Sequence, residues 1–140
     1  MPEESRSPDL VEIVGTALEA ANRRDLDAVM SIFAADAVYE GRALGDVFEG
    51  QTAIRAFIEE WFGNYEELEY GLEEGHDLGN GVVFAVVVQS GRLPGSTGSV
   101  RQREGWVIVW ERGLVARITF AEVEEGRAAA ERLAAPGGRA

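Results

Sequence analysis

The 140-residue chain has no cysteine, no lysine and a single histidine. Without cysteine there is no disulfide, no thiolate nucleophile and no thiolate metal site. Without lysine, Schiff-base catalysis on a lysine amine is excluded, and all thirteen basic residues are arginine. The lone imidazole, His76, falls in a Gly/Asp/Asn-rich segment that reads as an exposed turn, with no second histidine to share a metal. Ser96, Thr97 and Ser99 sit in a turn-rich loop with no histidine nearby, which removes a serine triad. No apolar run approaches the ~20 residues of a membrane span, and the opening MPEESRSPD lacks the charged-then-apolar order of a signal peptide. The expected location is the cytoplasm.

What is present is acid. The formal net charge of −12 argues against a nucleic-acid partner, because affinity for phosphate backbones comes from clustered Lys and Arg. It argues equally against an anionic membrane surface. Much of the acidity lies between Glu59 and Asp77 and reads as a solvated face. The length suits one domain spanning 1–140, which should bury roughly 68% of the surface its unfolded chain exposes, with 1–7 and 135–140 as flexible tails.

Periodicity divides the chain. Leu10, Ile13, Val14, Ala17, Leu18 and Ala21 recur at helical spacing, predicting a helix over Pro8–Asn22 with Ser7 as its cap and Pro8 in its first turn. Asp25 is placed to cap a second helix, Leu26–Phe33, followed almost at once by a strand over Val38–Arg42. Ala43–Gly50 reads as a loop, and Ile54, Phe57, Ile58 and Trp61 mark a third helix over Thr52–Phe62. Four strands are then expected. Glu67–Glu73 alternates Leu68, Tyr70 and Leu72 against glutamates, whereas Val82–Gln89 is apolar on both sides. Beyond the loop Gly91–Ser99, Val100–Trp110 and Leu114–Val123 flank a three-residue hairpin loop, Glu111–Gly113. That loop pairs Trp110 with Leu114, Ile108 with Ala116, Trp106 with Ile118, Glu104 with Phe120 and Gln102 with Glu122. A last helix covers Glu124–Ala134.

The segment NRRDLDAVMSIFAADAVYEG (Asn22–Gly41), followed by FEGQTAIRAF (Phe48–Phe57), GRLPGSTGSV (Gly91–Val100) and VWERGLVARITF (Val109–Phe120), resembles the SnoaL-like branch of the nuclear transport factor 2-like superfamily, which also holds the ketosteroid isomerases. The resemblance implies an α+β fold: a cone of curved, mostly antiparallel sheet around a pocket, roofed by three N-terminal helices, with a short C-terminal helix. It also implies where isomerase chemistry would stand. The general-base aspartate falls on Gly41, the oxyanion-hole tyrosine on Ala17 and the protonated aspartic acid on Trp106, so none of those roles can be filled there. Strand parity turns Tyr39 and Gly41 toward the pocket and Glu40 away.

The expected chemistry therefore moves to the last hairpin. Glu104 and Glu122 become diagonal neighbours beside an apolar wall, where one carboxyl can stay protonated and the other ionised, giving an acid and a base. Their bland alternative is a pair of glutamates on the wet rim of the sheet. Relatives of the limonene-epoxide-hydrolase type use late-strand carboxylates with an arginine between them, but Arg101 and Arg103 have the wrong parity. The expected lining is Phe33, Tyr39, Phe57 and Trp61 from the first half of the chain. Val83, Ala85, Val87 and Gln102 join it from the middle strands, and Trp106, Ile108, Ile118 and Phe120 from the last hairpin.

The function read from this is a small-molecule pocket protein taking a hydrophobic cyclic ligand, with acid–base chemistry by Glu104 and Glu122 and no metal or organic cofactor. Its rival is a binding or accessory module that recognises another protein through its outer sheet. Apolar residues on both sides of Val82–Val88, with Val107 and Val109 behind the pocket face, call for a cover on that outer surface. A homodimer is the simplest one.

Overall fold

A computed structural model describes residues 9–41, 46–92, 94, 95 and 97–135. Ser7, Pro8, the tails 1–7 and 136–140, Arg42 and Ser96 lie outside these, so the cap, strand-end and tail expectations attached to them do too. The order is α1 (Leu10–Asn22), α2 (Leu26–Met30), β1 (Phe33–Glu40), β2 (Val47–Glu49), α3 (Gln51–Gly63), β3 (Glu66–Gly79), β4 (Val82–Arg92), β5 (Val100–Glu111), β6 (Leu114–Ala121) and α4 (Val123–Ala134). Six strands form one sheet in the order β2-β1-β6-β5-β4-β3. Among the described residues, only β1 and β6 run parallel. The α+β architecture, a curved sheet with helices α1–α3 toward its inner face and a short last helix, is the one the sequence predicts. No described helix is long and apolar enough to cross a membrane.

Local chemistry accounts for the helix starts. Asp9 accepts a hydrogen bond from the Glu12 amide at 3.2 Å and is the observed cap of α1, two residues later than Ser7. Asp25 caps α2 through the Ala28 amide at 3.1 Å, as its position before an apolar stripe predicts. That second helix is shorter than expected because Phe33 already pairs with Val115 as the first residue of β1. Within the expected Ala43–Gly50 loop, Val47–Glu49 forms a short edge strand on β1.

The strands also run further than alternation suggests. The expected Glu67–Glu73 continues to Gly79, so His76 stands on a strand rather than in a turn, exposed and 3.1 Å from Glu74. Asn80 and Gly81, both at positive φ (56° and 76°), make the tight turn into β4.

The last hairpin departs from its expected register. Arg112 (φ 57°) and Gly113 (φ 80°) form a two-residue turn, which pairs Glu111 with Leu114 and Trp110 with Val115. After an irregularity at Val109/Trp110, Ile108 faces Ile118 and Trp106 faces Phe120. The shift from the expected pairs is two residues, an even number, so these four side chains keep their face.

Two apolar layers hold the sheet. The inner one joins Val14, Leu18, Phe33, Ile54, Val83, Ala85, Val87, Ile108 and Ile118, all buried, beneath helices α1–α3. The outer one, Val82, Phe84, Val86 and Val107, is covered by Val123 and Ala130 of α4. The outer apolar surface that called for a homodimer is thus covered within the chain, and the protein-recognition alternative loses the same premise. Gly105 and Gly126 let the helix seat there, with a Cβ at Gly105 falling 3.0 Å from Phe84 Cε1 and 3.1 Å from Val123 Cα.

Candidate functional site

Between the inner face of the sheet and the helices lie two chambers that share Tyr39, Trp61, Tyr70, Trp106 and Phe120. The inner chamber, of about 80 Å³, is walled by Val14, Ala17 and Leu18 of α1, Phe33 of β1 and the hairpin residues Ile108, Val115 and Ile118. The outer one, of about 510 Å³, adds Gly41, Asp46, Phe57, Gln89, Gln102 and Glu104. That volume lies in the usual range for a small-molecule site, roughly 300–1,000 Å³.

The rings form a continuous arc. Phe57 stacks on Phe48 at 4.5 Å and lies 5.4 Å from Tyr39, and Tyr39 is 4.7 Å from Phe120. Phe120 meets Trp106 edge-on at 4.8 Å, and Trp106 reaches Tyr70 at 6.3 Å. Tilted and edge-to-face contacts of this kind hold aromatic rings at fixed angles.

Polar groups position the wall. Trp61 Nε1 donates to Gln89 Oε1 at 3.0 Å, tying the end of α3 to β4. Asn22 pins β3 from both sides, accepting from the Tyr70 amide at 2.7 Å and donating to the Tyr70 carbonyl at 3.0 Å. Arg24, at φ 63°, donates to the carbonyls of Ala21 and Leu68, both at 2.8 Å, and lies 5.1 Å over the ring of Phe62. Together Asn22 and Arg24 fix Tyr70 beneath α1. Gln51 donates to the Phe33 carbonyl at 2.8 Å and holds α3 against β1.

Burial raises the Tyr39 phenol well above its ordinary value, and nearby Tyr70, Glu104 and Asp46 push it the same way. Burial also raises Tyr70, with the Trp61 hydrogen bond and Arg24 opposing and Glu104 adding. Both hydroxyls therefore stay protonated at neutral pH and are available as donors to a ligand. Trp106 Nε1 approaches Glu104 Oε1 at 3.4 Å. Among the described residues, no group of three or more His, Asp or Glu is placed to hold a metal ion.

Most of the expected lining is brought together: Phe33, Tyr39, Phe57, Trp61, Gln102, Trp106, Ile108, Ile118 and Phe120, with Glu104, border one chamber or the other. Val83, Ala85 and Val87 do not; they are fully buried in the inner core behind that wall. Glu122 is a second correction. β6 ends at Ala121, and the Glu122 carboxylate caps α4, accepting from the Glu125 amide at 3.1 Å. It does not border the chamber that holds Glu104. Glu40 points away as parity predicts, paired with Arg117 at 2.5 Å and Thr119 at 3.1 Å on the outer face.

In the outer chamber three lining residues are outside the expected set, Tyr70, Gln89 and Asp46; in the inner one Val14, Ala17, Leu18 and Val115 are among those added. The alternation of β3 already turned Tyr70 to the side of Leu68 and Leu72. Asp46 carries no such signal, because it depends on the space at Gly41. A Cβ built on Gly41 would fall 3.0 Å from Asp46 Cβ and 3.5 Å from its Oδ2, and the Gly41 amide donates to the Asp46 carbonyl at 2.7 Å.

The chain belongs to the SnoaL-like domain family, whose profile matches residues 14–129. No curated protein sequence matches it. Among solved structures, it is similar to a Catenulispora acidiphila protein of ketosteroid isomerase-like fold in complex with trimethylamine (17% identity, 86% of this chain and 92% of that one, TM-score 0.72). It is also similar to a Mycobacterium tuberculosis protein in complex with estradiol-17β-hemisuccinate (18%, 82% and 93%, TM-score 0.70). A third, from Sinorhizobium meliloti, is named as a polyketide cyclase (24%, 78% and 93%, TM-score 0.65). At these identities the likeness is one of fold.

Proposed function

We propose that the protein binds a small, hydrophobic cyclic molecule in the outer chamber and transforms it by acid–base chemistry drawn from its own carboxylates. The observation that carries this reading is the chamber itself: about 510 Å³ walled by Tyr39, Phe57, Trp61, Trp106 and Phe120, with Gln89, Gln102, Glu104 and two phenols converging on it. An apolar cavity with a few fixed polar groups is how proteins hold and orient small ligands. Two structural neighbours hold organic molecules, an amine in one and a steroid ester in the other, which fits a fold that adapts its pocket to different guests.

Trp61 and Trp106 border the chamber, so an occupant changes their surroundings directly. Titration with estradiol, a neutral flat polycycle, is expected to quench or shift tryptophan emission saturably, and Trp106→Phe should remove much of the signal. An emission spectrum unmoved up to the solubility limit would count against the pocket. Within this reading Glu104 is the proton-transferring group. For a ligand that the protein turns over, Glu104→Gln is expected to lower kcat by about 10²–10⁴-fold with affinity nearly unchanged. An unaltered kcat removes that role from Glu104.

A further inference from the structure

We infer that the outer chamber prefers ligands bearing an organic ammonium group, with Asp46 as the anionic partner of the cation. This rests on the pocket reading above and specifies the class of guest.

Three features of the chain converge on it. First, the lining is a wall of π faces and edges, with Tyr39, Phe57, Trp61, Tyr70, Trp106 and Phe120 around one space. Aromatic boxes of this composition attract alkylated ammonium groups through the ring quadrupole, and strip water from them at less cost than from a compact primary ammonium. Second, among the described lining residues the charged ones are acids. Asp46 and Glu104 border the chamber, and no described Arg or His does.

Six described arginines are engaged elsewhere: Arg24 on the Leu68 carbonyl, Arg55 on Asp27, Arg92 on Glu67, Arg103 on Glu73, Arg117 on Glu40 and Arg127 on Glu74. A net charge of −12 would also steer a cation toward the protein and an anion away from it.

Third, Asp46 is seated by the backbone. Its carbonyl is held by the Gly41 amide at 2.7 Å, and its Cβ and Oδ2 lie 3.0 and 3.5 Å from where a Gly41 Cβ would be. Glycine at position 41 thus leaves room for the Asp46 side chain beside the chamber that both residues border. Any larger side chain there would contest that space. Both phenols remain neutral, so they add ring surface and oxygen acceptors without a competing charge.

The decisive comparison uses two probes of the same shape, phenyltrimethylammonium and tert-butylbenzene, which differ in a nitrogen and its charge. Binding is followed by tryptophan emission at low salt. The cation is expected to bind at least about tenfold more tightly, a difference of about 1.4 kcal/mol. Asp46→Asn should shrink that preference to within about threefold, and Asp46→Glu should keep most of it. Gly41→Ala, which crowds Asp46, should weaken the cation more than the hydrocarbon.

Equal or tighter binding of tert-butylbenzene overturns the inference and leaves the pocket reading standing. Binding of neither probe overturns it as well, and the estradiol titration then decides whether the pocket reading falls too. A preference undiminished in Asp46→Asn, in a variant with unchanged circular dichroism, overturns the assignment to Asp46.

Discussion

Gly105→Val is expected to lower stability by about 3 kcal/mol, the upper end of the usual cost of overpacking a core. It should also lift α4 from the sheet. The added Cβ would stand 3.0 Å from Phe84 Cε1, 3.1 Å from Val123 Cα and 3.3 Å from the Glu122 carbonyl oxygen. Two of those three atoms are backbone, so no rotamer change relieves the crowding and the helix must move. Its displacement would expose Phe84, Val86 and Val107, all but buried in the native fold.

The readouts are the urea midpoint and the elution volume of the folded fraction, since exposed apolar surface drives association. Gly71→Val supplies the control. Gly71 is exposed on β3, and a Cβ there meets nothing within 4 Å. A β-branched residue at such a strand position should be neutral or mildly stabilising. Equal destabilisation by the two substitutions would show that the α4 contact is not what Gly105 serves.

The second large effect is alkaline. A phenol whose pKa is raised on folding keeps its proton in the native state after the unfolded chain has lost it. The unfolded state then binds fewer protons, so stability falls as pH rises. Tyr39 and Tyr70 are both raised, burial being the leading cause in each. Their contribution is fully present below pH ~10, the ordinary phenol value, and is lost as pH rises above it. With each phenol losing about 1.4 kcal/mol per pH unit, the pair should steepen the decline to nearly 3 kcal/mol per unit. Unfolding free energies measured from pH 9 to 11.5 test this. Tyr39→Phe and Tyr70→Phe should each remove about half of the slope. Phenolate absorbance that rises well before unfolding would mean that the two hydroxyls are open to solvent in the native state.

Much of this architecture is legible in the sequence because its main elements obey simple periods. The apolar stripes of α1 and α3, and the alternation of Leu68, Tyr70 and Leu72, each fix one buried face. What escapes is decided by short-range geometry. Arginine is an uncommon occupant of the first position in a two-residue turn, so Arg112–Gly113 reads as part of a longer loop. The turn slips the register by one residue and the irregularity at Val109/Trp110 by one more, so Trp106, Ile108, Ile118 and Phe120 keep their face while their partners change.

Glu122 fails for a different reason. Glutamate is not among the favoured helix caps, so its role emerges only once β6 is seen to stop at Ala121. Gly105, a glycine inside an apolar strand, was the available hint that another backbone approaches there. It points to α4 as the cover of the outer face without invoking a second copy.

The pairing of β1 with β6 has a consequence for how the molecule comes into being. Glu40 and Arg117, which bridge these strands, are 77 residues apart. Contacts between distant segments must absorb the entropy of closing the intervening chain, and topologies rich in them fold slowly. During synthesis the first strand leaves the ribosome long before its partner. Tyr39 and Phe120, the ring pair at the heart of the chamber, can meet only after both arrive. The wall of the chamber can therefore close only once strands from both halves of the chain are present together.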